Sequence, residues 1–450
     1  MSLLPFLIVA FGAGTASLLA RHRADLAGGI GIAGLALASL AAASTPILER
    51  LGAPFAPGEP GAGAPGDVAV LLLVAAVSGL LIVLAGAGTG TVPRSLPGAT
   101  LLTLGWGGLA LATSTPQAAI FFATAAGLTS VLPLLDTGAV TDRGAVAAVA
   151  VVRVAVVAGI AAWLALLVPA GADGVASADG DASLALLAAG AAVAVRLGVV
   201  PLHRPNARLA NLAPPVTLPL ALVVGPAIFA LAMVWGAGTP ADVAGLGIER
   251  GAIVVVGLAS AVLGTVAALL HDDLEHVLAY AVAADGGLAL LALGASAGGL
   301  DGAAWTWLLA LIAGRTALAG WVVAVGGRSG SRRLGDLGGW ARRSPLLAVA
   351  LGAIAVAAVG WPDSPVFAAR QTLVDAAVGT PLAVPVLAVT LTTGLVYGRL
   401  LLVGFRRPPP RPRDGPEARP VRLRLATVAV LALAALAVAV SGGFIAAGGG

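Results

Sequence analysis

The sequence predicts an all-α polytopic membrane protein of about fourteen transmembrane helices, in which the seventh and twelfth are broken. Three observations predict this. Of the 450 residues, 59% are hydrophobic and 10% are charged, and the mean hydropathy is +1.02. A soluble domain has about a quarter of its residues charged. Apolar stretches of roughly 17 to 25 residues, enough to cross about 30 Å of hydrocarbon, recur along the chain. Two of them are interrupted, one at Pro201 and one at "GWPDSP", where Pro362 and Pro365 remove backbone donors from the helical ladder. Broken helices in corresponding places of two halves are the sequence sign of inverted repeats.

The segments run near 3–20, 26–47, 67–90, 96–114, 117–135, 144–169, 183–203, 214–236, 251–270, 274–296, 303–326, 345–378, 380–404 and 422–442. No soluble stretch between them is long enough to fold separately, so residues 1–450 read as one integral membrane domain. The opening "MSLLPFLIVAFGAGTASLLARHR" lacks a basic start and a small-residue cleavage site, and reads as a retained first helix. If odd-numbered loops are cytoplasmic, that side holds Arg21, Arg23, Arg94, Arg143, Arg204, Arg208, Arg328, Arg332, Arg333, Arg342, Arg343 and the cluster from Arg406 to Arg424. The other side holds Arg50 and Arg250, with Asp173, Asp179, Asp181, Asp242 and Asp301. The excess predicts a cell membrane protein, bacterial or archaeal, with both termini outside the cytoplasm. The Pro/Arg-rich loop at 405–421 reads as a cytoplasmic linker that meets lipid headgroups rather than nucleic acid.

There is no cysteine, which excludes disulfides, thiolate metal sites and thiol nucleophiles. No metal site and no cofactor are expected on this chain, and any redox group is expected on a partner. "GAGTGT" at 86–91 ends a membrane helix and reads as a packing element rather than a phosphate cradle. "HDDLEH" at 271–276 spaces His271 and Glu275 as a metal-binding helix does but offers no third ligand; Asp272 or Asp273 reads better as an N-cap. The chain is not expected to be catalytic alone.

A charge within the bilayer is costly, so those found there are informative. They are Arg153, Arg196, Asp285, Arg315 and Arg370, with His203, Glu275, His276 and Asp375 nearer segment ends. All 25 basic residues are arginine, and arginine stays protonated at any accessible pH. One arginine in each of segments six, seven, eleven and twelve predicts a hydrophilic axis through the bundle; paired charges that merely hold helices together are the alternative for each residue taken singly.

Four stretches resemble the antiporter-like membrane subunits shared by respiratory complex I (NADH:quinone oxidoreductase), Mrp-type cation/proton antiporters and membrane-bound hydrogenases. In "RLGVVPLHRPNARLANLAPPVT", Arg196, Pro201, His203, Pro214 and Pro215 are similar to the family's K-x-x-x-x-P-F-H followed by A-P-x-P-V-S/T. In "DDLEHVLAYAVAADGG", Asp273, Leu274, Leu278, Ala279, Tyr280 and Gly286 resemble a D-I/L-K-R-L/I-L-A-Y pattern and its continuation. "GRTALAGWVVAV" with "LGDLGGWARRSP" looks like the F-K-A-L-L-F helix and the loop after it, and "GWPDSPVFAAR" looks like G-x-P-P-x-x-G-F-x-x-K. The likeness spans residues 90 to 405.

The resemblance implies inverted five-helix repeats, here 96–236 and 251–404, and proton movement along a chain of charged residues at mid-membrane depth. It puts Arg196, Arg315 and Arg370 on lysine or glutamate positions of the seventh, eleventh and twelfth helices, with His203 toward the cytoplasm. Two positions depart from it: a family glutamate falls on Thr124 and an eighth-helix lysine on Gly225. Asp285 stands where the family has glutamine or histidine. Asp285, His276 and His203 are then the titratable members, and the arginines are fixed charges beside them.

The leading expectation is a divergent proton-translocating subunit of a complex I-like or related membrane complex, with other membrane subunits as partners. The alternatives are a non-conducting scaffold that docks a soluble partner through Arg332, Arg333, Arg342 and Arg343, and the membrane subunit of an anion, inorganic-carbon or Mrp-type transport system.

Overall fold

The computed structural model describes residues 3–50, 65–87, 92–136, 142–167, 178–236, 246–295, 301–329, 331–407 and 422–447. Most of the 405–421 loop, the end of the 86–91 glycine run, Asp173 and Asp242 lie outside them, as do the side chains of Arg50, Arg143, Asp179, Asp181, Asp301 and Arg328. The described residues are helical throughout, with one isolated β-bridge between Asp273 and Arg333.

The chain opens with α1 (Leu4–Leu19), α2 (Ala24–Arg50), α3 (Pro65–Ala87) and α4 (Leu96–Ala112). α5 (Pro116–Thr129) continues through the short α6 (Leu132–Leu135), and α7 (Asp142–Leu167) precedes α8 (Ala178–Leu197) and the nine-residue α9 (Arg204–Leu212). A π-helical turn, Pro219–Val224, leads into α10 (Gly225–Gly236), followed by α11 (Gly247–Leu270), α12 (Leu274–Gly294) and α13 (Asp301–Ser329). The last part holds α14 (Trp340–Arg343), α15 (Pro345–Val359), α16 (Pro365–Val378), α17 (Thr380–Leu391), α18 (Thr393–Phe405) and α19 (Arg422–Ala447). Each apolar segment of the sequence coincides, within its described residues, with one of these helices or two consecutive ones. Ten are long and apolar enough to cross a membrane by length and composition; Leu96–Ala112, Ala182–Leu197, Pro345–Val359 and Ala426–Val440 are apolar but shorter.

Helices apolar on every side belong at the centre of a bundle, and α12 and α13 are buried along nearly their whole length. Outer helices instead leave rows of large apolar side chains exposed, such as Val149, Val156 and Ile160 on α7 and Ile248 and Val255 on α11.

Both expected breaks are present. α8 stops at Leu197 because Gly198 turns into the left-handed region at φ 66°. Asn206 of α9 then folds back and donates to the Leu197 carbonyl at 3.3 Å. Ser260 of α11 satisfies the freed backbone: it accepts from the Val200 amide at 3.1 Å and donates to the Ala283 carbonyl of α12 at 2.9 Å. The second break lies between α15 and α16, where Gly360 and Asp363 both have positive φ and Ser364 caps α16 by accepting from the Phe367 amide. A third interruption, between α17 and α18, carries no proline at the junction. Here Thr390, Thr392 and Thr393 each donate to a carbonyl three residues back, a back-bonding that bends helices.

α11 and α12 meet through small residues. A Cβ built on Gly287 would lie 2.4 Å from the Gly257 carbonyl oxygen and 2.8 Å from the Ala261 amide nitrogen, and one on Gly264 would lie 2.8 Å from the Ala284 amide nitrogen. Backbone contact of this kind is how small residues hold membrane helices together. Gly287→Val should therefore force the pair apart and destabilise the protein by about 1–3 kcal/mol, read as a lowered unfolding temperature in detergent; an unchanged temperature would contradict the tight seam.

Candidate functional site

The buried charges fall into two unlike groups, one around Asp285 and one around Arg196. Asp285 sits mid-way along α12, where Gly286 and Gly287 leave room for neighbouring helices; a Cβ on Gly286 would lie 2.9 Å from Leu197 Cβ, at the end of α8. Arg315 of α13 donates from Nε to Asp285 Oδ2 at 2.5 Å and from a terminal nitrogen to the Tyr397 hydroxyl of α18 at 2.6 Å. Its other terminal nitrogen has no partner. Arg315 and Tyr397 are each 1% exposed and Asp285 is 5% exposed, so this pair lies in the low-dielectric interior, where removing either member leaves an uncompensated charge.

Trp307 links this group to Arg370. Its indole donates to the Asp285 backbone carbonyl at 3.0 Å, and the Arg370 guanidinium stands 5.0 Å from its ring centroid, within cation–π range. Arg370 donates its terminal nitrogens to the Val359 and Ala358 carbonyls at 2.6 and 2.9 Å. These are orphan carbonyls at the end of α15, where the helix dipole favours a cation. The twelfth-segment break is thus bridged by its own arginine.

Arg196 has no such arrangement. It is 2% exposed, yet its Nε and one terminal nitrogen have no hydrogen-bond partner. The guanidinium occupies a slot between two glycines: a Cβ on Gly127 of α5 would come within 2.7 Å of the terminal nitrogen, and one on Gly225 of α10 within 2.9 Å. Thr124, one turn before Gly127, donates its hydroxyl to the Ile120 carbonyl of its own helix at 2.8 Å.

At the N-terminal end of α12 the structure gathers a ring cluster. Tyr280 lies 5.6 Å from His203, 4.6 Å from His271 and 6.3 Å from His276, centroid to centroid, and the two α12-end histidines stack at 5.1 Å. His276 Nδ1 is 3.6 Å from Asp273, while Glu275, 3% exposed, pairs with Arg332 at 3.2 Å. Arg399 of α18 closes the cluster by donating to the His271 carbonyl and to Asp272, each at 2.6 Å. His276 and Asp285 are nine residues apart on one helix, about 13 Å along its axis.

Several expected members are therefore brought together: Asp285, Arg315 and Arg370 on one side, His203 and His276 on the other. Arg153 is not among them. It is exposed on the outer face of α7, whereas Arg196, Arg315 and Arg370 are buried. The sequence reading passed over Trp307, Tyr397 and Arg399, and it named Tyr280 and His271 without placing them among the charged residues of the bundle. Composition held a signal for part of this, since the chain has two tyrosines and four histidines; both tyrosines and three of the histidines fall in these clusters. Of the four loop arginines, Arg332 holds Glu275 and Arg343 donates to the Gly338 and Gly339 carbonyls, while Arg333 and Arg342 are exposed.

The transmembrane family described as NADH:quinone oxidoreductase/Mrp antiporter matches residues 174–396, which hold both breaks and every site residue described above except Gly127, Thr124, Tyr397 and Arg399, apart from the outlying Arg153. Over that span the chain is similar to the antiporter-like membrane subunits of this family. It is 30% identical over 200 residues, 43% of its length, to NADH-quinone oxidoreductase subunit N of Parafrankia sp. (strain EAN1pec), and the alignment spans 37% of that relative. Among solved structures it is similar to a chain of the Mrp complex from Dietzia sp. DQ12-45-1b, with a TM-score of 0.79 at 20% identity over 99% of this chain and 95% of that one. It is also similar to a chain of respiratory complex I from Thermus thermophilus, with a TM-score of 0.71 at 21% identity over 98% of both. These antiporter-like folds are those of multi-pass membrane proteins within multi-subunit complexes.

The Asp285 group makes a stability prediction. Arg315→Leu should destabilise the protein by about 3–5 kcal/mol, whereas Asp285→Leu combined with Arg315→Leu should recover most of that loss. Thermal unfolding of the two single variants and the double variant in detergent measures the coupling. Additive losses would mean that the contact carries no energy.

Proposed function

We propose that this chain is a proton-translocating, antiporter-like subunit of a complex I-like or Mrp-type membrane assembly, whose working path lies in its second half. The observation that carries the reading is the contrast between the two buried groups: Asp285, Arg315 and Tyr397 form a connected chain with a titratable acid, and Arg196 is an unpaired cation with none. The alignment of Arg196, Arg315 and Arg370 with the family's charged positions, and of Thr124 and Gly225 with its missing ones, belongs to the same proposal, as do the inverted repeats 96–236 and 251–404.

In this reading a proton enters at the ring cluster of His203, His271, His276 and Tyr280. It passes by way of water along α12 to Asp285. Protonating Asp285 cancels the charge that holds Arg315, and the guanidinium then leans on Tyr397, its second partner. Because arginine does not give up its proton, Arg315 and Arg370 act as fixed charges beside Asp285, the group that carries the moving proton. Arg196, with no acid in reach, repels cations from the first half and closes it.

The arginine-rich end, with exposed Arg333 and Arg342, faces the cytoplasm in this proposal and offers those two residues to a soluble partner, and both termini lie on the opposite side. Arg250 fits that orientation despite lying at the arginine-poor end, because it is used internally: it is 8% exposed and donates to the Ala295 carbonyl at the end of α12 at 2.7 Å.

Proton flux across liposomes containing the protein with its co-purifying subunits tests the reading. Asp285→Asn and Arg370→Ala are expected to slow the collapse of an imposed pH gradient at least tenfold, about 1.4 kcal/mol on the barrier, while Arg196→Gln leaves it unslowed. Flux equal to that of empty vesicles for the wild type, with the complex assembled, would make the axis a structural remnant.

A further inference from the structure

Arg153 stands in the middle of α7, eleven residues from its start and so about 16 Å along the helix, exposed among the exposed side chains of Val149, Val152, Val156 and Val157. An ionised guanidinium on the lipid-facing side of a spanning helix needs a partner. The structure supplies two more cations instead. α9 packs against α7 and is strongly amphipathic, burying Asn206, Leu209 and Ala210 and exposing Arg204, Arg208 and Asn211. Those three sit at i, i+4 and i+7, on one face. Together with Ala150, Arg153 and Ala207 they line an open groove of about 530 Å³. Among the described residues none of the three arginines has a carboxylate within ion-pair distance. Like charges four apart on a helix repel each other, so the groove holds three cations that lack a counter-ion.

We propose that this groove binds the headgroup phosphate of an anionic phospholipid. The three guanidiniums present planar donors that match phosphate oxygens, and the Asn211 amide adds a neutral donor for a glycerol or ester oxygen. The apolar surroundings decide between a lipid and a free anion: Arg153 stands among exposed valines of α7, and Leu202, two residues before Arg204, is exposed as well, an apolar surface that acyl chains cover and inorganic phosphate does not use. The bound lipid neutralises Arg153, which otherwise stands exposed among apolar side chains. It also pins α9, which follows directly on the break that carries Arg196, so the seventh-helix break rests on a lipid from outside and on Ser260 from inside.

The test uses the full-length protein purified in mild detergent, with retained lipid measured by native mass spectrometry and thermal stability measured on adding dioleoylphosphatidylglycerol or dioleoylphosphatidylcholine. Wild type is expected to retain phosphatidylglycerol and to be stabilised by it, but not by phosphatidylcholine. The triple variant Arg153→Gln, Arg204→Gln, Arg208→Gln should lose the retained lipid and need at least about tenfold more phosphatidylglycerol for the same stabilisation, a loss of about 1.4 kcal/mol. A control with the same change of charge elsewhere, at the exposed Arg21→Gln, Arg23→Gln, Arg94→Gln, should behave as wild type. Arg153→Gln alone, a single exposed change, should weaken retention in the same direction, which covers failure of the triple variant to fold. Equal retention by the triple variant and wild type, equal response to the two lipids, or stabilisation by inorganic phosphate or poly-glutamate in place of phosphatidylglycerol would each overturn the proposal; the last two would assign the groove to a free anion or to an acidic protein segment.

Discussion

The contact of Arg315 with Asp285 is the constraint around which the centre of this bundle is arranged. An arginine in a membrane interior keeps its charge, so it has to be met by an acid, by carbonyls or by the surface. Asp285 and Tyr397 meet Arg315, and this requires α12, α13 and α18 to converge at one depth. The convergence explains why α12 is glycine-rich just after Asp285 and why its seam with α11 is backbone against backbone. The same rule accounts for the other buried arginines. Arg370 and Arg250 cap the ends of α15 and α12, and Arg399 binds the carbonyls that end α11. A helix terminus concentrates unpaired carbonyls and negative dipole in one place, which makes it a ready substitute for an acid.

Arg196 is the exception, and its surroundings show what replaced the usual solution. The slot between Gly127 and Gly225 is wide enough for a guanidinium only because neither residue has a side chain. Thr124, one turn before Gly127, uses its hydroxyl on its own helix. The two halves thus differ in kind although both contain a helix broken at a left-handed glycine. In one half the arginine closes the break by bonding to it; in the other the break is held by Ser260 and Asn206, and the arginine is left with unmet donors. A proton path through both halves would need a titratable group in each, and among these residues Asp285 is the one deep acid.

Sequence alone determined the membrane class, the position of nearly every helix and both proline breaks, because hydrocarbon thickness and the missing proline donor act locally on a contiguous stretch of chain. It also singled out Asp285, Arg315 and Arg370, since a charge inside a long apolar run is visible without a structure. It did not reveal the bend between α17 and α18, which is made by threonine hydroxyls turning back on carbonyls. Nor did it show that Arg153 is exposed on the outer face of α7 while Arg196, Arg315 and Arg370 are buried: four arginines in four apolar helices read alike until the helices are packed. Which donor meets which acceptor was decided only by tertiary structure. Tyr397 reaches Arg315 across 82 positions of sequence, and His203 meets Tyr280 across α9, α10 and α11. Burial raises the cost of an unpaired polar group, but the group that pays it off is chosen by rotation and depth of neighbouring helices, and neither is written in the periodicity of any one of them.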